Sequence, residues 1–130
     1  MDYGFGMLGL NVRDMKKAKE FYADFIGMQV IEQLSGDTFI FLQPKSGTPI
    51  ALQDISTMPP ELQVPPGGYE INLAVDDLDA AYRAWKEKGI EIAQDIADMG
   101  AGRYFRARDS EGYYLSVYQL YDEVKNMRPQ

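Results

Sequence analysis

The side chains of this sequence that could do chemistry are carboxylates, amides, arginines and many aromatic rings. Its 130 residues contain no histidine and no cysteine. These absences remove the commonest general base and exclude thiol catalysis, disulfides and thiolate metal sites. Ser110 and Ser116 therefore have no histidine to activate them as nucleophiles. Glu70 is left as a candidate base, and nine tyrosines and six phenylalanines favour stacking against planar or cationic molecules.

Two stretches with the same pattern, 7–27 and 69–89, must position these groups. In each, apolar residues alternate along a strand and an aspartate, Asp14 or Asp77, stands where a helix N-cap belongs. Apolar residues then recur at helical spacing until a glycine, Gly27 or Gly89, ends the helix. The pattern predicts an internal repeat of a strand followed by a helix.

Three predicted strands follow each of these stretches, so that each half reads β-α-β-β-β. The predicted strands are 28–34, 38–43 and 49–54 in the first half, and 90–96, 103–108 and 113–119 in the second. Four prolines and two glycines make 55–68 a predicted linker, which is also a candidate lid over a pocket. The polar end, 120–130, is predicted to form a short helix or to fray.

Three motifs carry a resemblance to a known family. They are NVRD before the helix that ends in FYADFIG, LAVDD before the second helix, and RDSEGYYLSV near the end. With them the chain resembles the vicinal oxygen chelate superfamily of glyoxalase I, bleomycin-resistance proteins and extradiol dioxygenases. The resemblance implies an α+β fold in which two βαβββ modules form a curved, cup-shaped sheet of eight strands. Helices then cover the convex side, and the ligand site lies on the concave side.

The expected organisation is a single domain, 1–130. Module one is predicted at 6–54, the linker at 55–68, module two at 69–119 and the C-terminal tail at 120–130. The resemblance also implies a homodimer, because relatives commonly pair modules across chains and a two-module sheet leaves edges that need cover.

Strand alternation predicts which residues face the cup, because the apolar set of each strand must meet the helices. The candidate ligand-binding residues are Asn11, Phe39, Phe41, Gln53, Glu70, Asn72, Tyr104, Arg106, Tyr114 and Tyr118. Aromatic walls with a few polar groups are typical of a small-molecule pocket, and Arg106 suits a carboxylate or phosphate. The alternative is that the rings pack against each other and Glu70 simply pairs with Arg106.

The resemblance also places four metal-ligand positions in the cup, usually occupied by His, Gln or Glu. Here they match Met7, Ala51, Glu70 and Ser116. Only Glu70 offers a charged ligand, whereas a stable site needs three or more good donors. We therefore expect no metal and no other cofactor.

These observations favour a metal-independent small-molecule binding protein, with a role in drug resistance or sequestration. The competing hypothesis is an enzyme. It would be a glyoxalase-like lyase or isomerase, or a dioxygenase-related enzyme, with a non-standard metal set or with Glu70 as general base. The absence of histidine favours the binding protein.

Charge and hydropathy limit the other partners. A net charge of −7 argues against nucleic acid, which usually requires a basic face. No apolar run reaches the length of a membrane span, and the first residues do not resemble a signal peptide. We therefore expect no membrane partner and a cytoplasmic location.

Overall fold

The computed structural model of the chain describes residues 2, 5–66 and 70–125. These residues fall in two compact units, Met1–Pro65 and Pro66–Gln130. The predictions made for Tyr69, for the glycines at 67–68 and for 126–130 lie outside the described residues.

The first unit is a sheet of four strands joined by one long helical segment. In chain order it contains β1 (Leu8–Val12), α1 (Met15–Lys19), β2 (Gln29–Val30), β3 (Phe39–Gln43) and β4 (Ile50–Asp54). The strand order is β1-β4-β3-β2, and β1 runs parallel to β4 while the other neighbours are antiparallel. Leu10, Leu42 and Leu52 are fully buried on one face, which is the face that alternation assigned to the helix.

The helical segment starts and ends where its sequence predicts. The Asp14 carboxylate accepts a hydrogen bond from the Lys17 amide at 3.0 Å, and Gly27 ends the segment with φ +93°. Between them, α1 widens into a π-helix at Glu20–Phe25, where the Ile26 amide donates to the Phe21 carbonyl at 3.0 Å. The predicted helix is therefore present, but its second half has the wider winding.

The predicted strand 28–34 is wrong in length. Only Gln29–Val30 pairs as a strand, and Glu32–Leu34 forms a 3₁₀ turn. The Ser35 hydroxyl explains the early end. It accepts from the Phe41 amide at 3.0 Å and donates to the Ile31 carbonyl at 2.8 Å, so a side chain replaces the next bonds of the ladder.

The second unit repeats this order of elements. It contains β5 (Glu70–Ala74), α2 (Leu78–Lys88), β6 (Ile92–Asp98), β7 (Gly102–Arg108), β8 (Tyr114–Leu120) and α3 (Asp122–Lys125). The strand order is β5-β8-β7-β6, with β5 parallel to β8. The Asp77 carboxylate caps α2 through the Ala80 amide at 3.0 Å, and Gly89 ends it in the left-handed conformation. The two aspartate caps predicted from the repeat are thus confirmed.

Strand register shows how closely the units correspond. In the first, Ala51 lies opposite Gly9 and Phe41. In the second, Ser116 lies opposite Asn72 and Arg106 in the same way. The predicted α+β fold of two βαβββ modules is confirmed, with one four-stranded sheet in each unit.

The segment that follows β4 returns to the first sheet. It forms 3₁₀ turns at Ile55–Thr57 and Pro60–Leu62. The Asn11 amide nitrogen donates to the Leu62 carbonyl at 3.2 Å, which ties the segment to the end of β1. Within the described ranges, every helix is too short or too polar to cross a membrane.

Candidate functional site

The second sheet has one sealed face and one open face. The sealed face carries fully buried side chains, namely Phe105, Leu115 and Val117. The Phe105 ring packs edge to face on Trp85 of α2, with 5.7 Å between the ring centroids. Residues between them in sequence point the other way. We call that second side the open face; Tyr104 and Arg106 lie on it and are partly exposed.

Register brings the predicted site residues of this unit together in three rows across the open face. The rows are Glu70–Tyr114–Arg108, Asn72–Ser116–Arg106 and Ala74–Tyr118–Tyr104. All six predicted ligand residues of the second unit therefore lie on adjacent strands of one face. Whether they contact a ligand stays a prediction.

Arg106 lies at the centre of a polar cluster. Its Nε donates to Glu70 Oε2 at 2.8 Å and its Nη2 to Glu70 Oε1 at 3.4 Å. Its Nη1 donates to Gln94 Oε1 at 2.6 Å and to the Tyr104 hydroxyl at 3.4 Å. The Glu70 carboxylate raises the pKa of Arg106 above its ordinary value. We call Glu70, Gln94, Tyr104 and Arg106 the Arg106 network.

The network is accessible from solvent. The side chains of Arg106 and Glu70 are 37% and 30% exposed, so a ligand can reach the ion pair. The pairing of Glu70 with Arg106 that the sequence offered as an alternative is thus observed. A partly exposed, hydrogen-bonded ion pair still leaves polar atoms on which a ligand can be oriented.

Gln94 is a member of the network that sequence alternation missed. Strand β6 pairs with β7 through two register irregularities, one between Ile92 and Gln94 and one between Gln94 and Ala97. Ile92 lies opposite the buried Ala107, whereas Gln94 lies opposite Arg106. The irregularity therefore reverses the alternation and turns Gln94 to the open face, which no strictly period-two pattern reveals.

Arg108 and Glu91 were also missed, and they hold Tyr114. The Arg108 guanidinium lies 4.1 Å from the Tyr114 ring centroid and also donates to the Tyr114 hydroxyl. Arg108 Nε pairs with Glu91 Oε2 at 2.8 Å. Tyr114 is therefore held at the rim of the open face by a stacked, ion-paired arginine.

The predicted residues of the first unit form a smaller group. Gln53 lies opposite both Asn11 and Phe39 in the ladder, and Phe41 lies opposite Ala51. A Cβ built on Gly9 would collide with the Gln53 amide nitrogen, so the Gln53 side chain lies directly over the Gly9 backbone. The absence of a side chain at Gly9 is what gives Gln53 this position.

The four metal positions implied by the resemblance do not fit a metal. Ala51 has no donor atom and is fully buried, Met7 is 45% exposed, and Ser116 is buried. Both Glu70 oxygens accept hydrogen bonds from Arg106. Over residues 5–66 and 70–125, no three acidic side chains gather closely enough to hold an ion.

Comparison of the sequence with models of known protein families shows to which superfamily the chain belongs. The model of the Glyoxalase/Bleomycin resistance protein/Dioxygenase superfamily matches residues 4–117. The chain belongs to this superfamily. No curated protein matches the sequence significantly.

Solved structures of the superfamily share the fold. A member from Sphaerobacter thermophilus DSM 20745 is 25% identical, with a TM-score of 0.73, covering 90% of this chain and 98% of its own. TnmS3, described as an antibiotic binding protein from Streptomyces sp. CB03234, is also 25% identical, with a TM-score of 0.74 and coverage of 93% and 99%. A glyoxalase-related enzyme from Fulvimarina pelagi, 14% identical, has a TM-score of 0.74 and coverage of 89% and 87%; it shows the common fold alone.

Proposed function

We propose that this superfamily member binds a small organic molecule without a metal, in drug resistance or sequestration. The observation that carries the proposal is the Arg106 network on the open face, flanked by Tyr114 and Tyr118. Aromatic surface supplies affinity, and a few hydrogen-bonding groups supply orientation. Asn11, Phe39, Phe41, Gln53 and Asn72 are further candidates for ligand contact.

The ion pair suits ligands of either charge. A ligand carboxylate or phosphate would compete with Glu70 for the guanidinium, and a ligand ammonium would compete with Arg106 for the carboxylate. The ring of Tyr104 already lies under the Arg106 guanidinium, with Cζ 5.0 Å from its centroid. The pair therefore selects the orientation of a ligand more than its overall affinity.

Two further observations support binding over catalysis. TnmS3, similar to this chain over nearly its whole length, is described as binding an antibiotic. In this chain, Arg106 engages both oxygens of Glu70, so Glu70 would have to leave its ion pair before acting as a base. Together with the poor donors of Met7 and Ser116 and the absence of a donor at Ala51, this argues against a metal-dependent lyase or dioxygenase.

Native mass spectrometry with a panel of antibiotics, bleomycin among them, tests the proposal. We expect at least one compound to bind one per chain and to stay bound when a chelator is added. Arg106→Glu should change which compounds bind, with anionic ones losing most. One equivalent of zinc, iron, manganese or nickel per purified chain, lost on Glu70→Ala, would overturn the metal-free proposal.

A further inference from the structure

Hydrogen bonding in the Arg106 network runs in a single direction. A guanidinium carries donors only, so the Gln94 atom that lies 2.6 Å from Arg106 Nη1 must be the amide oxygen. The amide nitrogen of Gln94 therefore faces Tyr104 and donates to its hydroxyl oxygen at 3.0 Å. Arg106 thus fixes the orientation of the Gln94 amide, and the amide in turn determines the hydrogen-bonding role of the Tyr104 hydroxyl.

The Tyr104 hydroxyl is left with a hydrogen to donate. Its oxygen accepts from Gln94 Nε2 and, at 3.4 Å, from Arg106 Nη1. A phenol oxygen has two lone pairs and one hydrogen, so both lone pairs are used and neither partner can take the hydrogen. Within the described part of the chain, the Tyr104 hydroxyl makes no hydrogen bond beyond these two.

We propose that Tyr104 is the specificity-determining hydrogen-bond donor of the site, and that the ligand offers it a carbonyl or similar acceptor oxygen at the edge of an aromatic ring system. The proposal rests on the proposed binding function and names the ligand class. A ligand with only donors at that point would find the lone pairs of Tyr104 occupied, and its own polar hydrogen would be buried without an acceptor. The neighbouring Tyr118, opposite Tyr104 in the ladder, supplies a ring for stacking.

Two matched probes isolate the carbonyl. One is a fluorenone and the other is the corresponding fluorene, each carrying the same trimethylammonium group. They share charge, planarity and nearly all of their volume, so their affinity ratio reports the acceptor oxygen alone. Binding is measured by NMR chemical-shift titration of the protein, which also shows where each probe lies. We expect the fluorenone to bind about five- to tenfold more tightly, the effect of one net hydrogen bond.

Two variants remove the donor in different ways. Tyr104→Phe deletes the hydroxyl and keeps the ring. Gln94→Glu keeps Tyr104 intact but reverses its role, because a carboxylate beside Arg106 has only acceptors and draws the Tyr104 hydrogen inward. Gln33→Glu, on the exposed turn Glu32–Leu34, adds the same charge at a residue outside the Arg106 network and is the matched control.

We expect the affinity ratio to fall to about one in Tyr104→Phe and Gln94→Glu and to keep its wild-type value in Gln33→Glu. Equal affinities of the two probes for the wild type, with shifts centred on Tyr104 and Tyr118, would overturn the donor role and leave the binding function standing. Absence of binding, or shifts confined to other surfaces, would overturn the proposed binding function itself. A ratio that survives in Gln94→Glu would show that the amide does not orient the hydroxyl.

Discussion

At the scale of single residues, aromatic side chains in this protein occupy two different environments. Trp85 is 7% exposed and packs edge to face on Phe105. Tyr104 of β7 and Tyr118 of β8 lie on the opposite face of the sheet from Phe105 and keep part of their surface exposed. The first kind of ring contributes to stability, and we propose that the second kind contacts the ligand.

Truncating these rings should separate the two contributions. We expect Tyr104→Ala and Tyr118→Ala each to weaken an identified ligand by about 1–3 kcal/mol if the rings are desolvated against it. Trp85→Ala should instead lower the free energy of unfolding by about 3–5 kcal/mol, while the folded fraction keeps its affinity. Calorimetric titration and urea denaturation measure the two quantities. Normal binding by both tyrosine variants would show that the open face is not the ligand site.

The polar residues show how far sequence reasoning reaches at this scale. The sequence places Glu70 and Arg106 on one face because side chains of regular strands alternate strictly, and it offers their pairing as an alternative to ligand binding. Gln94 could not be placed in this way, because a register irregularity in β6 is set by the packing of neighbouring strands and leaves no period-two trace in the sequence.

At the scale of elements, the turn between β6 and β7 is fastened to the end of β8. The Tyr121 hydroxyl donates to Asp98 Oδ2, and the Tyr121 amide donates to the Ala101 carbonyl at 2.9 Å. The Tyr121 hydrogen bond, followed by that from the Gly100 amide, lowers the pKa of Asp98 below 3.8. The same hydrogen bond raises the pKa of Tyr121 above 10.0.

Removing the hydroxyl should therefore be visible in the titration of Asp98. In Tyr121→Phe we expect the pKa of Asp98 to rise toward 3.8, though not fully, because the Gly100 amide still donates at 2.6 Å. Carboxyl carbon NMR measures the shift, and Asp54, whose pKa is lowered by Ser56, serves as the unaffected control. An unchanged Asp98 would contradict the role given to Tyr121.

The sign of the linked stability follows from these directions. A lowered carboxyl pKa contributes stability that is present above the unfolded-state value, near 3.8, and is lost as the pH falls through the folded-state value. A raised tyrosine pKa contributes stability below 10.0 that is lost as the pH rises through the folded-state value. The contact between Tyr121 and Asp98 should therefore make the wild type more stable than Tyr121→Phe between these two pH limits. Beyond them the two proteins should not differ through this contact.

Gly102 is required where β7 meets β8. A Cβ at this buried position would collide with the Gln119 carbonyl and lie 2.8 Å from the Leu120 Cα. Since backbone atoms cannot swing aside, Gly102→Ala should lower the free energy of unfolding by about 1–3 kcal/mol. Gly36→Ala is the control, because a Cβ there meets no described heavy atom within 4 Å. Equal denaturation midpoints for Gly102→Ala and Gly36→Ala would show that β7 and β8 can move apart to accept the methyl group without loss of stability.

The sequence predicts the starts of the helices best, and it predicts the length of the short edge strand β2 worst. Asp14 and Asp77 cap their helices through local hydrogen bonds, which depend on residues only three positions apart. Strand β2 depends instead on whether the ladder to β3 continues. The Ser35 hydroxyl, which is not part of that strand's apolar pattern, ends the ladder.

At the scale of the whole molecule, the chain is expected to form a homodimer. In the described part of the chain, each four-stranded sheet has an edge strand on either side, and edge strands need cover. Multi-angle light scattering at micromolar concentration should give about twice the 14.7 kDa of one chain. A mass of one chain throughout the dilution series would contradict the prediction.

The duplicated architecture was predictable because strand phase, cap and terminal glycine agreed between the halves. The ligand is not predictable in the same way, since a fold supports many functions and the chemistry lies in a few side chains. The family resemblance located the metal positions, but the residues that occupy them, Met7 and Ala51 among them, depart from the family pattern.

The matching register of the two units has a consequence for how this protein can acquire new specificities. One row of the ladder holds Gly9, Ala51 and Phe41 in the first unit, and its counterpart holds Asn72, Ser116 and Arg106 in the second. The same backbone pairing thus tolerates an apolar row and a polar one. Because main-chain hydrogen bonds specify the pairing, substitutions in these rows can alter recognition while the scaffold is conserved. The open face is a surface on which substitutions can change ligand preference at little cost in folding stability, provided that Gly102, where the backbone of β8 leaves no room for a side chain, is kept.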